Sequence, residues 1–317
     1  MFLRESINSV KQFINHIASR IKVLFIIYSN DAKVISPKFL EFNNDAVRPA
    51  YSYPKVIWLY WHSIDEVPTI VNLCVERIRS YCPEFEVNFL NESTVKDFIT
   101  VPDISEELPV AIKADYIRLK LLDTYGGIWM DSSILLNDNI EWIFERINNH
   151  DAFVFFSDEC TEDINFPITE NWFIVAPLGS LFIRAWLREF SLCIFSNSPT
   201  EFYNDIKYNK SFVQNLTRPD YLLCYISAIK VLRENYFKVL YASSSSVGHY
   251  FNYKYKFNGL YVATVLTKKN ESDIPKLKLI KLTSQVRNVV ENTLSSGKIK
   301  KGSYIYNVIK SNHSGTQ

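Results

Sequence analysis

The sequence predicts an α/β fold with a mixed, mainly parallel central sheet, and three observations support this. Residues 56–98 alternate in the order strand, helix, strand, helix, and residues 109–130 add another helix and strand. The last of these strands, residues 128–130, is continuously apolar, as is typical of interior parallel strands. Its end carries the carboxylate of Asp131. Ligands of open α/β sheets gather beyond the carboxyl ends of strands, so we expect the functional site there.

The elements before residue 100 follow from periodicity and from turn residues. The chain begins with an amphipathic helix whose apolar residues recur at helical spacing, and residues 30–53 show no regular pattern. Residues 56–61 form the first predicted strand, followed by a helix over 69–81 that Pro83 closes. A strand over 86–90 and a helical piece over 92–98 come next. The apolar residues of the N-terminal helix are Phe2, Ile7, Val10, Phe13, Ile14, Ile17 and Ile21.

The segment from residue 109 to residue 136 holds the most informative local pattern. Pro109 suits the first turn of a helix, because its missing N–H would have no partner there. Gly126 and Gly127 end that helix, since glycine accepts the left-handed conformation of a C-terminal cap. After Asp131 the polar run continues through Ser133 before an apolar stretch resumes at 134–136. The segment therefore delivers one acidic side chain to the edge of the sheet.

The remaining elements are less sharply defined. Strands are expected over 153–156 and 173–176, helices over 181–195 and 221–233, and a flexible loop over 243–246. The sequence shows no internal repeat, and residues 268–281 and 298–301 are rich in lysine. A basic surface of this kind suits an anionic membrane face.

Composition excludes several classes of protein. The chain has 317 residues with 35 basic and 34 acidic side chains, so no overall field favours nucleic acid, which we do not expect as a partner. Its five cysteines are an odd number without a CxxC pair, which favours a reducing compartment. The apolar run at 23–28 is too short to span a membrane or to act as a secretory signal. The amphipathic helix either packs on the protein or lies at a membrane surface.

Five stretches of the chain resemble one family. Residues 115–118 (DYIR) and 125–131 (YGGIWMD) resemble the signature of glycosyltransferases with a DXD sugar-binding region. The bacterial capsular polysaccharide synthesis group, similar to glycosyltransferase family 32, is the nearest match. Residues 54–61 (PKVIWLYW) resemble its first strand, 171–176 (NWFIVA) a later strand, and 281–283 (KLT) its C-terminal motif.

The resemblance implies a GT-A-type domain over residues 46–290, with a helical extension over 1–45 and a basic tail over 291–317. The implied reaction moves a hexose, with retention, from a UDP-linked donor to a capsular or O-antigen type precursor. The implied partners are a nucleotide-sugar donor, a glycan or lipid-linked glycan acceptor and a peripheral membrane contact. The expected location is the cytoplasm or the inner face of the cytoplasmic membrane.

The chemistry of sugar transfer assigns roles to particular side chains. A departing diphosphate needs positive charge, and Asp131 offers a hard oxygen ligand to Mg²⁺ or Mn²⁺. Ser133 stands where a full DXD has its second acid, and a hydroxyl is a poorer ligand, so the metal dependence of the protein is in question. His249 is the candidate for a late metal ligand. The alternative for His249 is an ordinary core or surface histidine.

The resemblance also implies a set of donor-binding residues. Asp115 and Arg118, three residues apart on one helix face, hold the donor sugar and phosphate, and Arg118 joins Asp131 as a catalytic candidate. The alternative is a surface salt bridge of little energetic value. The remaining donor-binding candidates are Trp61 for base stacking, Trp129 for the wall of the site, Asn171 for the sugar, and Lys281 and Thr283 for the diphosphate. Structural alternatives are core packing for Trp61, the edge of a strand for Asn171, and a solvated basic strand for Lys281 and Thr283.

Two rival functions stay open from the sequence. One is a noncatalytic sugar- or partner-binding domain that has lost its second acid at Ser133. The other is a different metal-dependent nucleotide enzyme such as a nucleotidyltransferase, which usually carries a glycine-rich phosphate loop that a chain with 8 glycines does not favour.

Overall fold

The computed structural model describes residues 2–63, 65–105 and 108–314. Its strands are β1 (Phe39–Phe42), β2 (Val56–Tyr60), β3 (Glu86–Leu90), β4 (Gly127–Met130), β5 (Ile134–Leu136), β6 (Ala152–Phe156), β7 (Thr169–Ala176), β8 (Val239–Ser243) and β9 (Leu279–Lys281). Its α-helices are α1 (Phe2–Tyr28), α2 (Thr69–Tyr81), α3 (Val110–Tyr125), α4 (Glu141–Phe144), α5 (Leu181–Ile194), α6 (Lys210–Val213), α7 (Leu223–Glu234), α8 (Tyr250–Lys254), α9 (Gly259–Lys268), α10 (Ser284–Ser295) and α11 (Tyr304–Ser314).

Seven strands form one sheet in the order β1-β8-β6-β7-β4-β2-β3, while β5 and β9 form a separate antiparallel pair. The pairs β2 with β3, β2 with β4 and β6 with β8 are parallel. The other three pairs in this sheet are antiparallel, because β7 and β1 run against the remaining strands. Five strands therefore share one direction. The predicted mixed, mainly parallel α/β sheet is confirmed.

Alternating side chains of the central strands feed two apolar layers. Trp129 and Ile174 face the layer that α3, α5 and α7 cover, whereas Ile128 and Phe173 face the layer beneath α2, α4 and β5. A third apolar cluster joins α1, α9, α10 and α11. The strands β4 and β7 are buried along their whole length, so their ends at Asp131 and Glu170 have a fixed position at the edge of the sheet.

The turn between α3 and β4 depends on its two glycines, as predicted. Both have positive φ, 64° at Gly126 and 90° at Gly127. A Cβ on Gly127 would lie 2.4 Å from Val56 Cγ1 and 2.6 Å from Val56 O, and one on Gly126 would lie 2.6 Å from Leu178 N. The backbone of β2 therefore passes too close for any side chain at Gly127.

Most of the predicted elements are confirmed, and α2 and β3 have the expected bounds. Two predictions are wrong. Residues 30–53 were expected to be irregular, but β1 lies there and pairs with β8, a partner about 200 positions away that no local pattern indicates. Residues 243–246 were expected to be a flexible loop, but Ser243 is the last residue of β8 and Ser244–Ser246 form a short 3-10 turn. Three of these serines are buried, and Ser243 Oγ donates a hydrogen bond to Asp158 Oδ1 at 2.7 Å.

The helix α1 packs on the protein with one face only. Ile26 is fully buried, and Tyr261 of α9 donates a hydrogen bond to Ser19 Oγ at 3.4 Å. A second set of apolar side chains on α1 is exposed: Ile14, Ile17, Ile21, Leu24, Phe25 and Tyr28. The side chains of Phe2, Ile7, Val10 and Phe13 lie outside the described residues. Among the described helices, none combines the length and the apolar character that a membrane span requires.

The predicted domain boundaries stay predictions, and two observations bear on them. The strand β1, which lies before residue 46, belongs to the main sheet. The helix α11, which lies after residue 290, buries Tyr304, Ile305 and Val308 in the third apolar cluster. Both terminal segments therefore take part in the packing of the described chain.

Candidate active site

Asp131 follows the last residue of β4, and hydrogen bonds fix both its backbone and its carboxylate. Its backbone N–H donates to Trp172 O at 2.8 Å, which ties it to β7. Its Oδ1 accepts from Trp129 Nε1 at 3.1 Å and from Arg118 Nη2 at 3.3 Å. Its Oδ2 accepts from Lys281 Nζ at 2.7 Å. The side chain keeps a quarter of its surface exposed, 25%, so it lines a solvent-accessible site while its orientation is fixed.

Asp115 and Arg118 on α3 form the inner wall of this site. Arg118 Nη1 lies 3.2 Å from Asp115 Oδ1 and donates to Asn171 O at 2.9 Å. Asn171 Nδ2 in turn donates to Asp115 Oδ1 at 3.0 Å. Arg118 is buried, and its Nε has no hydrogen-bond partner among the described residues. The pair is therefore no surface salt bridge, and it connects α3 to β7 and to Asp131.

The two carboxylates have opposite pKa shifts. Burial raises the pKa of Asp115 to about 6, with Arg118 opposing and Asp131 adding to the shift. Burial also disfavours the charge of Asp131, but Lys281 and then Arg118 outweigh it, so the pKa of Asp131 lies below its usual value. Asp131 is thus ionised at any physiological pH.

Residues near the C-terminus complete the site from the opposite side. Lys281, at the end of β9, is buried, and its Nζ lies 2.9 Å from Ser133 Oγ as well as beside Asp131. Arg287 on α10 donates from Nη1 to Ser133 Oγ at 3.4 Å. We call the set of Asp115, Arg118, Asp131, Lys281 and Arg287 the charge cluster. Arg287 was missed by sequence reasoning.

The other predicted donor residues lie at different depths. Trp129 is buried, and the Arg118 guanidinium lies 5.0 Å from its ring centre. Its role as a wall of the donor site stays a prediction. Trp61 is half-buried rather than part of the core, and the Arg287 guanidinium lies 5.2 Å from its ring. Thr283 caps α10, since its hydroxyl accepts from Val286 N at 3.4 Å. Thr283 therefore has a structural role as the N-cap of α10.

The predicted metal ligands do not suit a divalent cation as they are arranged. Both oxygens of Asp131 accept from cationic side chains, Arg118 and Lys281, and the Ser133 hydroxyl accepts from Lys281 and Arg287. His249 Nδ1 accepts from the Asn252 amide at 2.9 Å, which leaves the proton on its other nitrogen. Burial, with Lys281 nearby, lowers the pKa of His249 to about 3. Within the described residues, no group of three His, Cys, Asp or Glu side chains is placed to bind a metal ion.

A further carboxyl group at this edge of the sheet was missed. Glu170 is the second residue of β7 and precedes Asn171, and its Oε2 accepts from Trp172 Nε1 at 2.7 Å and from the Ser244 hydroxyl. Burial raises its pKa to about 7 despite these hydrogen bonds. The signal was available, because Glu170 immediately precedes the NWFIVA stretch that resembles the family.

A separate cavity of about 750 Å³ contains none of the predicted site residues. Its lining comes from the outer side of the β5 and β9 pair and includes Arg77, Asn137 and Tyr304. Arg77 donates to Leu136 O at 2.7 Å and to Asn137 Oδ1 at 3.2 Å. These hydrogen bonds hold α2 against the end of β5, which gives Arg77 a structural role.

Comparison with known proteins adds one family match. Residues 19–278 match the sequence model of the family described as capsular polysaccharide synthesis protein. A search of curated protein sequences gave no match.

Several solved glycosyltransferase structures are similar to this chain at low identity. The PaToxG glycosyltransferase is 15% identical, with 71% of this chain and 84% of that chain covered and a TM-score of 0.37. The galactosyltransferase LgtC, solved with donor and acceptor sugar analogs, is 13% identical, with 78% and 96% covered and a TM-score of 0.38. A glycosyltransferase involved in glycosylation of the major capsid of PBCV-1 is 10% identical, with 75% and 100% covered and a TM-score of 0.39. Likenesses of this size say nothing about donor or acceptor.

Proposed function

The chain belongs to the family of capsular polysaccharide synthesis proteins, and from this premise we propose that it transfers a sugar from a nucleotide-sugar donor to a precursor of a capsular or O-antigen type polysaccharide. The observation that carries the proposal is the charge cluster at the end of β4. It combines a fixed, ionised Asp131 with cations from α3, β9 and α10. Such a site suits a donor that has both hydroxyl groups and a diphosphate.

In this proposal each side of the cluster binds a different part of the donor. Asp115 accepts hydrogen bonds from sugar hydroxyls and the Asn171 amide donates to them. Arg118 orients the carboxylates of Asp115 and Asp131. The bond between the anomeric carbon and the diphosphate oxygen breaks, and its electron pair goes to the diphosphate. The acceptor hydroxyl oxygen forms the new bond on the same face, and its proton passes to the departing diphosphate oxygen. The proposed carrier is UDP and the proposed outcome is retention.

The first experiment asks whether a nucleotide binds and whether Asp131 acts in transfer. In a thermal-shift panel of nucleoside diphosphates and nucleotide sugars, a ligand at about 100 times its Kd stabilises the protein by roughly 2.7 kcal/mol. Release of UDP from UDP-sugars then measures turnover. We expect Asp131→Asn to lower turnover at least about a hundredfold, because it removes fixed charge from the site.

Asp138→Asn is the matched control for Asp131→Asn. Asp138 also pairs with a lysine, Lys278, at 2.6 Å, but it lies outside the charge cluster. Turnover that falls equally in both variants would contradict the assignment of Asp131. Binding of a donor without any turnover would favour the rival noncatalytic domain, and stabilisation by no nucleotide at all would refute the proposal.

We further propose that the acceptor is linked to a lipid and that α1 docks on the anionic membrane that contains it. The exposed apolar residues of α1 lie within an arc of about 100°, opposite the side that packs on α9. Lys11, Arg20 and Lys22 flank this arc, and residues 11–28 contain no acidic side chain. An apolar stripe between cations is typical of helices that lie in the interface of an anionic bilayer.

Flotation with lipid vesicles tests this docking. We expect the protein to float with vesicles that contain phosphatidylglycerol and to remain unbound with pure phosphatidylcholine. Leu24→Glu on α1 and Leu192→Glu on α5 change equally exposed leucines, 53% and 54%. Only Leu24→Glu is expected to reduce flotation. Equal behaviour of the two variants, or no flotation with anionic vesicles at low salt, would rule out the docking.

A further inference from the structure

Lys281 and Arg287 contact two of the side chains that the sequence predicts as metal ligands, Asp131 and Ser133. The Lys281 ammonium bridges Asp131 Oδ2 at 2.7 Å and Ser133 Oγ at 2.9 Å, the two members of the predicted metal site that lie two positions apart in the sequence. Arg287 reaches the same hydroxyl at 3.4 Å. Protein cations therefore already make the contacts that the sequence pattern assigns to Mg²⁺ or Mn²⁺.

The balance of charge in the cluster favours an anion over a further cation. Within the charge cluster, with Asp115 and Asp131 ionised, three cationic side chains face two carboxylates, which leaves one positive charge in excess. The nearby Glu170 offsets this excess only in part, because burial raises its pKa to about 7. A metal ion would increase this excess, whereas a diphosphate with about two negative charges would remove it. Burial lowers the pKa of Lys281, and Arg287 adds to this effect although Asp131 opposes it. Burial also lowers the pKa of Arg287. A bound anion would offset this cost of burial for both cations.

The surroundings of Arg287 suit a nucleotide in particular. Its guanidinium faces the ring of Trp61 at 5.2 Å, and that ring is half-buried at the end of β2. A guanidinium that is held against an aromatic ring can still donate its remaining N–H groups to a planar or tetrahedral anion. Trp61, Arg287 and Lys281 thus place an aromatic face and two cations side by side, which matches a base next to its phosphates.

We propose that Lys281 and Arg287 together bind the donor diphosphate in place of a divalent cation, so that donor binding needs no metal. The inference rests on the proposed function, since it concerns the same donor. It assigns Arg287 as a binding residue and gives Ser133 the task of orienting both cations through its hydroxyl. This proposal also explains why residue 133 is a serine and not the second acid of the motif, because a carboxylate there would compete with the diphosphate for these cations.

The test measures binding of UDP and of inorganic pyrophosphate by calorimetry, with the full-length protein in EDTA and in Mn²⁺. We expect the Kd for UDP to differ by less than about threefold between the two conditions. Lys281→Gln and Arg287→Gln are each expected to weaken binding in EDTA by about tenfold or more, because each removes a charge-assisted contact. Lys278→Gln, which breaks the similar pair with Asp138 outside the cluster, is the matched control and should leave Kd unchanged.

Each outcome separates this inference from the proposed function. Binding that disappears in EDTA and returns with Mn²⁺ overturns the inference, as does unchanged Kd in both Gln variants. Binding in EDTA without any sugar transfer supports the inference and refutes the proposed function. If Lys281→Gln does not fold, Lys281→Arg and Arg287→Gln replace it, and the comparison of EDTA with Mn²⁺ on the unaltered chain needs no variant.

Discussion

At the scale of single residues, Asp115 and Asp131 show how position decides the behaviour of identical side chains. They share Arg118, but only Asp131 also contacts Lys281. Burial dominates for Asp115, whereas cations dominate for Asp131. The carboxyl group of Asp115 therefore loses its proton close to pH 6, while Asp131 keeps its charge under acidic conditions.

This difference predicts a pH-dependent stability that Asp115→Asn removes. Between about pH 4 and pH 6 the native carboxyl of Asp115 holds a proton that the unfolded chain has released. The free energy of unfolding of the natural chain, relative to Asp115→Asn, should therefore fall as pH rises through this window and stay constant above it. Urea unfolding of both proteins at several pH values measures the difference, with Asp138→Asn as the control. A flat difference between about pH 4 and pH 6 would contradict the prediction.

The sequence indicates those site residues that lie in a continuous motif. Asp115, Arg118 and Asp131 come from one stretch whose periodicity also fixes its helix and strand, so their proximity could be predicted. Arg287 could not be found in this way. It is one of several basic residues near the C-terminus, and only the packing of α10 brings it to Ser133 and Trp61.

At the scale of elements, the turn between α3 and β4 determines where Asp131 lies. Gly126 also accepts a hydrogen bond from Trp58 Nε1 at 3.0 Å, which fixes the turn against β2. The glycines are thus required both by their positive φ and by the approach of a neighbouring strand. Such a turn could be predicted from the sequence, because a glycine directly after a helical pattern is typical of a helix C-terminus.

Gly127→Ala should destabilise the protein much more than Gly179→Ala. Both glycines have positive φ, but a Cβ at Gly179 would meet no atom within 4 Å. We expect Gly179→Ala to cost about 1–2 kcal/mol from backbone strain alone. Gly127→Ala should cost at least about 2 kcal/mol more, because Val56 must move. Urea denaturation measures both values, and equal losses would show that the close approach of β2 does not matter.

The strands that the sequence did not reveal are those that depend on distant partners. The short strands β1 and β9 have three or four residues each, too few for a reliable period, and each pairs with a strand far away in the chain. The buried 3-10 turn at Ser244–Ser246 is similar, because side-chain hydrogen bonds to Asp158 and Glu170 stabilise it and no local pattern indicates them.

At the scale of the whole molecule, the site is assembled from segments spread over most of the chain. The helix α3 and the strand β4 supply the acids and Arg118, β7 supplies Asn171, and β9 with α10 supply the remaining cations. The fold class could be predicted because the strands and helices between residues 56 and 130 carry their own patterns. The meeting of the two halves could not, since it results from tertiary packing of α10 and β9 against α2 and β5.

The ion pair between Asp131 and Lys281 joins residues 150 positions apart, and this separation has a consequence for how the protein is made. A growing polypeptide leaves the ribosome from its N-terminus and begins to fold as it emerges. It therefore contains Asp115, Arg118 and Asp131 long before Lys281 and Arg287 are translated. Closing so long a loop is a slow, late step of folding. The cations proposed to bind the diphosphate thus become available together only after at least 150 further residues have followed Asp131.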